Sequence, residues 1–242
     1  MYRVVVGTPP AELSPRATAE FALDATPIWR NGMVRMFLSH SAKHKKFASK
    51  VAQALAPMGI DGFVAHDSMS FDHDWQDQIQ VGLKTMDVFV VLLHKEVNES
   101  AWCQQEIGWA QGASTPIYLV RLGADPAGFV GRKQYPQVFP EDAEQVATKL
   151  FQWLSAKEEF AQALIDGQLS ALDASRSYIE SISITKGLVQ VASLSEAQWQ
   201  RLDSAVLNNG QVGGSGGARR NLEPFYVEHR REWPLVVKKS IL

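Results

Sequence analysis

Between Val34 and Leu154, short apolar runs alternate with amphipathic stretches, and this alternation restricts the fold more than any other property of the chain. The runs are Val34 to Leu38, Ile60 to Ala65, Asp87 to Leu93 and Pro116 to Leu122, each the length of a buried strand. The stretches between them carry apolar residues at helical spacing: Phe47, Val51, Leu55 and Met58 before Gly59, then Trp75, Ile79, Leu83 and Met86, then Ala101 to Gln111. A fourth helix, from about Glu141 to Leu154, presents Ala143, Val146, Leu150, Trp153 and Leu154. Strand and helix in regular turn with short connections predict right-handed βαβ units and a parallel, doubly wound α/β sheet. In such a sheet every βα loop falls on the carboxyl edge, where ligands bind.

The flanking regions differ in kind. Residues 1–32 form an N-terminal extension with one β-like run, Tyr2 to Val6, and a short helix around Thr18 to Leu23, broken by Pro9, Pro10, Pro15 and Pro27. The sheet domain is expected over residues 33–155. Residues 156–242 read as a mostly α-helical C-terminal region, with helices within Glu158 to Ile182 and over Ser195 to Leu207, and Lys186 to Val191 as a short strand or extended link. Phe160, Leu164, Leu169, Leu172, Ile179 and Ile182 carry the helical spacing, and regulation, oligomerisation or simple packing on the sheet are the tasks open to such a module. Gly213-Gly214-Ser215-Gly216-Gly217 reads as a flexible loop near 210–218. It follows no strand and lacks a closing Gly-Lys-Ser, so it does not read as a phosphate cradle.

Composition excludes several functions. The formal net charge is −2 and the basic residues are dispersed, which argues against nucleic acid as a partner. Cys103 is the only cysteine, so a disulfide within the chain and a cysteine-based zinc site are both ruled out. No apolar run approaches a membrane span, and Met1 to Gly7 is too short for a signal-peptide core, so no membrane is expected and the chain reads as cytoplasmic.

Candidate chemistry converges on the expected carboxyl edge. Ser39-His40-Ser41, the loop His66 to Asp74, the loop His94 to Ser100 and Glu106 should border one crevice, together with Phe71, Trp75 and Trp102. On a helix capped by Ser100, Trp102, Glu106 and Trp109 share a face, which sets a carboxylate between two indoles that would raise its pKa. Against this stands the ordinary reading of Glu106 as a solvated residue favoured by the helix dipole. His40, His66, His73 and His94 read as solvated loop residues rather than metal ligands, because no pair shows helical i, i+4 spacing or a fixed acidic partner. Cys103 reads as a small buried hydrophobe. No Gly-x-Ser-x-Gly elbow follows a strand, so a hydrolase triad is set aside.

Three segments together are similar to those of a bacterial TIR (Toll/interleukin-1 receptor) domain: Phe37-Leu38-Ser39-His40-Ser41, Gly62-Phe63-Val64-Ala65-His66-Asp67 followed by Trp75, and Ser100-Ala101-Trp102-Cys103-Gln104-Gln105-Glu106. Asp125-Pro126-Ala127-Gly128-Phe129 resembles a segment common after the fourth strand of bacterial members. The resemblance covers about Met33 to Leu154 and implies a flavodoxin-like parallel sheet. It further implies either a homotypic interaction adaptor or an enzyme that cleaves the nicotinamide–ribose bond of NAD, giving ADP-ribose, cyclic isomers or base-exchange products, often in anti-phage defence. In enzymatic members a glutamate of the third helix acts, which falls on Glu106 with the Trp102-x-x-x-Glu106 spacing. The pocket wall implied is Phe37, Ser39, His40, Trp75 and Trp102, with Asp67 and Ser68 beside it. NAD is then substrate, with no separate cofactor and no metal. Family members complete the site by self-association, and here the C-terminal region would bind a regulator or effector. Some members carry an arginine after the first strand where this chain has His40 and Ser41. A nucleoside deoxyribosyltransferase-like enzyme shares the architecture and remains a further alternative.

Overall fold

A computed structural model of the protein describes residues 28–65, 74–132 and 134–234. The expected strand at Tyr2 to Val6 and helix at Thr18 to Leu23 lie outside these residues, as do His66, Asp67, Ser68, Phe71 and His73.

Four strands, β1 (Val34–Ser39), β2 (Ile60–Phe63), β3 (Val88–Leu93) and β4 (Ile117–Arg121), form one sheet in the order β2-β1-β3-β4. Every pairing is parallel. Four helices link and flank them: α1 (Lys45–Leu55), α2 (Asp74–Thr85), α3 (Ala101–Gly112) and α4 (Ala143–Ser155). The central strands are buried on both faces, so their side chains alternate between two cores. Met36, Leu38, Val88, Val90 and Leu92 meet α1 and α4 through Val51, Leu55, Val146 and Leu150. Phe37, Phe89, Val91 and Leu93 meet α2 and α3 through Ile79, Leu83, Cys103 and Ile107. This is the doubly wound arrangement expected from the alternation. At the amino edge Arg35 holds Asp87 in a two-pronged contact, Nε to Oδ2 at 3.1 Å and Nη2 to Oδ1 at 2.7 Å, which fixes the start of β3 against β1. Trp29, from the extension, packs its ring on Phe63 and donates Nε1 to the Thr85 hydroxyl at 2.7 Å.

The described residues after α4 form helices: α5 (Glu158–Asp173), α6 (Tyr178–Leu188), α7 (Glu196–Asn208), the single turn α8 (Gly210–Gly213) and α9 (Gly216–Glu228). Leu169, Leu172, Ile184, Leu188, Trp199, Leu202, Phe225 and Tyr226 form their separate core. Helix α5 serves both cores, giving Leu164 to the sheet side and Ile165, Leu169 and Leu172 to the other. Its Gly167 lies so close to the turn at Gly59 that a Cβ there would sit 2.2 Å from the Gly59 carbonyl oxygen. Gly59 itself has φ of +80°, a conformation that a side chain disfavours.

Two expectations fail here. Lys186 to Val191 is neither strand nor link: α6 continues through Leu188, because Ser181, Ile184, Thr185 and Leu188 bury one unbroken helical stripe. The glycine-rich stretch is not a loop but the junction of α8 and α9, with the Ser215 hydroxyl accepting from the Ala218 amide. Its glycines serve close packing, since a Cβ at Gly213 would lie 2.1 Å from the Val206 oxygen and one at Gly217 2.4 Å from Ile182 Cδ1.

Candidate functional site

Strand parity decides which side chains meet at the carboxyl edge. Ser39 ends β1 on the same face as Phe37, two residues before it, and so points to the α2/α3 side. Helix α3 starts there, with the Ser100 hydroxyl accepting from the Cys103 amide at 3.3 Å. Its buried stripe is Cys103, Glu106, Ile107 and Ala110. Glu106 thereby enters the core margin at 7% exposure, and Ser39 Oγ donates to its Oε2 at 2.5 Å. Burial pushes the Glu106 carboxyl up to about 7, against the opposing pull of the Ser39 hydrogen bond.

Trp102 and Trp109 are 48% and 41% exposed, so the indoles flank the carboxyl on α3 without enclosing it. At 3.6 residues per turn both rings lie roughly 100° from the centre of the buried stripe, while Glu106 lies on its margin. The buried stripe of α3 lies to one side of the carboxyl, and the half-exposed Trp102, which shares its cavity, to the other.

A cavity of about 100 Å³ opens beside Glu106, lined by His40, Ala42, Ala65, Ile79, Ser100, Trp102, Cys103 and Glu106. Of the expected wall, His40 and Trp102 therefore face it, and Ser39 reaches it through Glu106. Phe37 does not: it is fully buried between Phe63 and Phe89, at centroid distances of 5.3 and 5.6 Å, one step deeper along the strand. Trp75 is the second residue of α2, and its side chain is outside the described residues, like Asp67 and Ser68. Cys103 is buried as expected, its Sγ directed at the His40 carbonyl at 3.5 Å, and burial raises its thiol pKa. It also lines the cavity.

His94 corrects the idea of a single crevice. It continues the parity of Val88, Val90 and Leu92, and so turns to the α1/α4 side, away from Glu106. It is 3% exposed rather than solvated, and its Nε2 lies 3.0 Å from Glu141 Oε1, so it has an acidic partner after all. The His44 ring stacks on it at 3.5 Å with 5° between the planes. Burial, then the facing His44, hold its pKa below the ordinary value despite Glu141. His44 and Glu141 were absent from the residues picked out in the sequence; only the parity of β3, extended one step past Leu93, pointed towards them.

A parallel sheet in the order β2-β1-β3-β4, with helices on both faces and a buried glutamate at its carboxyl edge, defines a flavodoxin-like α/β domain. A TIR domain profile matches residues 36–165, more than half of the chain. The chain belongs to the TIR domain family. Searches of curated proteins and of solved structures gave no match. Among the described residues no helix is long and apolar enough to cross a membrane.

Proposed function

We propose that the protein cleaves the nicotinamide–ribose bond of NAD, with Glu106 facing the ribose. The observation that carries this reading is one buried carboxyl, oriented by Ser39 and set in a cavity whose rim includes His40 and Trp102. In the step, the bond from C1′ to the ring nitrogen breaks and both its electrons pass to the nitrogen, so the pyridinium leaves as neutral nicotinamide. No proton donor is required. The sugar becomes an oxocarbenium-like cation, and an anionic Glu106 in a low-dielectric site offsets that charge. Water then captures C1′ and releases a proton to give ADP-ribose, or an adenine nitrogen captures it to give a cyclic product.

In this reading the scissile end of NAD enters the cavity of about 100 Å³ beside Glu106, and the remainder of the dinucleotide runs over the rim. The segment 66–73, which follows β2, is our candidate for the contact that completes the site on self-association, and the C-terminal helices for the binding of a regulator in a cytoplasmic anti-phage response. Nicotinamide release from NAD, followed over a range of protein concentrations, tests the proposal. Turnover that rises more steeply than protein concentration and is abolished in Glu106→Gln is expected; no turnover at any concentration, or a variant as active as the parent, overturns it.

A second reading is a non-enzymatic adaptor, favoured by the exposure of Trp102 and Trp109 on α3, a surface suited to another protein. Its signature is assembly without nicotinamide release. Thymidine cleavage without NAD cleavage would instead identify a deoxyribosyltransferase-like enzyme.

A further inference from the structure

We propose that His44, His94 and Glu141 form a binding site for a divalent transition-metal ion of the zinc class, on the opposite face of the sheet from Glu106. Three segments distant in sequence supply the donors: the turn before α1, the residue after β3, and the lead into α4. Their ligand atoms all lie within 4.8 Å of one another. Glu141 Oε1 is 3.0 Å from His94 Nε2 and 3.7 Å from His44 Nδ1. Bonds of about 2.0–2.2 Å in a tetrahedral zinc site place neighbouring donors about 3.3 Å apart, so the two spacings from Glu141 bracket what the ion needs.

The surroundings fit the same role. His44 uses its other nitrogen, Nε2, towards Glu96 Oε2 at 3.4 Å, and Glu96 is itself held by Lys43 Nζ at 3.2 Å. An outer carboxylate of this kind fixes the imidazole tautomer and turns the Nδ1 lone pair inward. His94 is nearly fully buried, with its Nε2 on Glu141. The two imidazoles stack at 3.5 Å with 5° between their planes, which brings two nitrogen donors to one place. A bound ion lies in the plane of each ring that holds it, so loading opens the stack. His44, with a quarter of its side chain exposed, is the ring with room to turn. Two imidazoles and one carboxylate favour zinc over magnesium or calcium, and they leave a fourth position for water. The ion would staple α1 and the start of α4 to the end of β3.

Equilibrium dialysis of the full chain against Zn²⁺ after chelator treatment tests the site, with Co²⁺ as a spectroscopic substitute. One ion per chain is expected at micromolar zinc, together with the visible bands of tetrahedral cobalt and a melting temperature raised by zinc. Glu141→Gln, at a partly exposed position, and His44→Ala should each weaken binding at least tenfold and abolish the rise in melting temperature, whereas Glu96→Gln should weaken it by about tenfold. Less than one equivalent bound by the parent overturns the proposal, as does unchanged affinity in Glu141→Gln and His44→Ala. Should His44→Ala fail to fold, the affinity of Glu141→Gln decides.

Discussion

Replacing Glu106 by glutamine should make the protein more stable at high pH and leave it nearly unchanged at low pH. The carboxyl ionises at about 7 in the folded chain, against an ordinary value of 4.5. Between these values the folded state holds a proton that the unfolded state has released, so stability falls as pH rises through the window. Above it the full cost of a buried anion is present, about 3 kcal/mol at about 1.4 kcal/mol per pKa unit. Glutamine keeps the volume and still accepts from Ser39 Oγ, which is now 2.5 Å from the carboxylate, but it never ionises. Its amide loses some hydration, so the net gain at pH 8.5 should be about 2 kcal/mol, falling towards zero near pH 4.5. Urea unfolding of parent and variant at a series of pH values measures the difference directly. Two parallel stability curves would refute the argument, because they would mean that the Glu106 carboxyl titrates alike in folded and unfolded chains. This result does not depend on any catalytic role, so it separates the electrostatics of the site from its function.

Ser39→Ala removes the one hydrogen bond that opposes the rise of the Glu106 pKa, so under the proposed function the limb of NAD cleavage that rises with pH should move up by about one pH unit, read from kcat/KM against pH. Gly167→Ala would drive a methyl group to 2.2 Å from the Gly59 oxygen, and a destabilisation of about 3 kcal/mol is expected in chemical denaturation, with both helical and sheet signals lost together.

The α/β order was legible because the strands of a doubly covered parallel sheet are continuous apolar runs, and the helices between them have a contrasting period. Val88 to Leu93 could hardly be read otherwise. The position of Glu106 beside Ser39 was legible in outline, through the cap at Ser100 and the rule that βα loops share one edge. Its depth of burial was not. A helical wheel places Trp102 and Trp109 near Glu106, but which side of the wheel is buried depends on Cys103, Ile107 and Ala110, residues too small or too few to announce a core. The loops were assigned to one crevice because edge and face were treated as one property. The topology fixes the edge, whereas strand parity fixes the face, and parity sends Ser39 and His94 to opposite sides. The glycine-rich junction misled for a different reason. Composition reports the freedom of an isolated chain, and Gly213 and Gly217 spend that freedom on contacts with Val206 and Ile182.

Helix α5 also bears on how such a chain could be recombined. Leu164, with Phe160 and Ala163 beside it, fills the core beneath α1 and α4, while the next turn begins the second core. A cut just after α4 would strip that wedge from the sheet and leave an apolar hole on one side and an uncovered apolar face on the other. The portable piece is therefore the sheet together with α5 as far as Gly167, and a foreign helical module joined directly after α4 fits only if its opening helix supplies both a leucine at this place and a glycine against Gly59. Exchange of C-terminal modules is thus constrained by a single helical turn whose two sides belong to different neighbours.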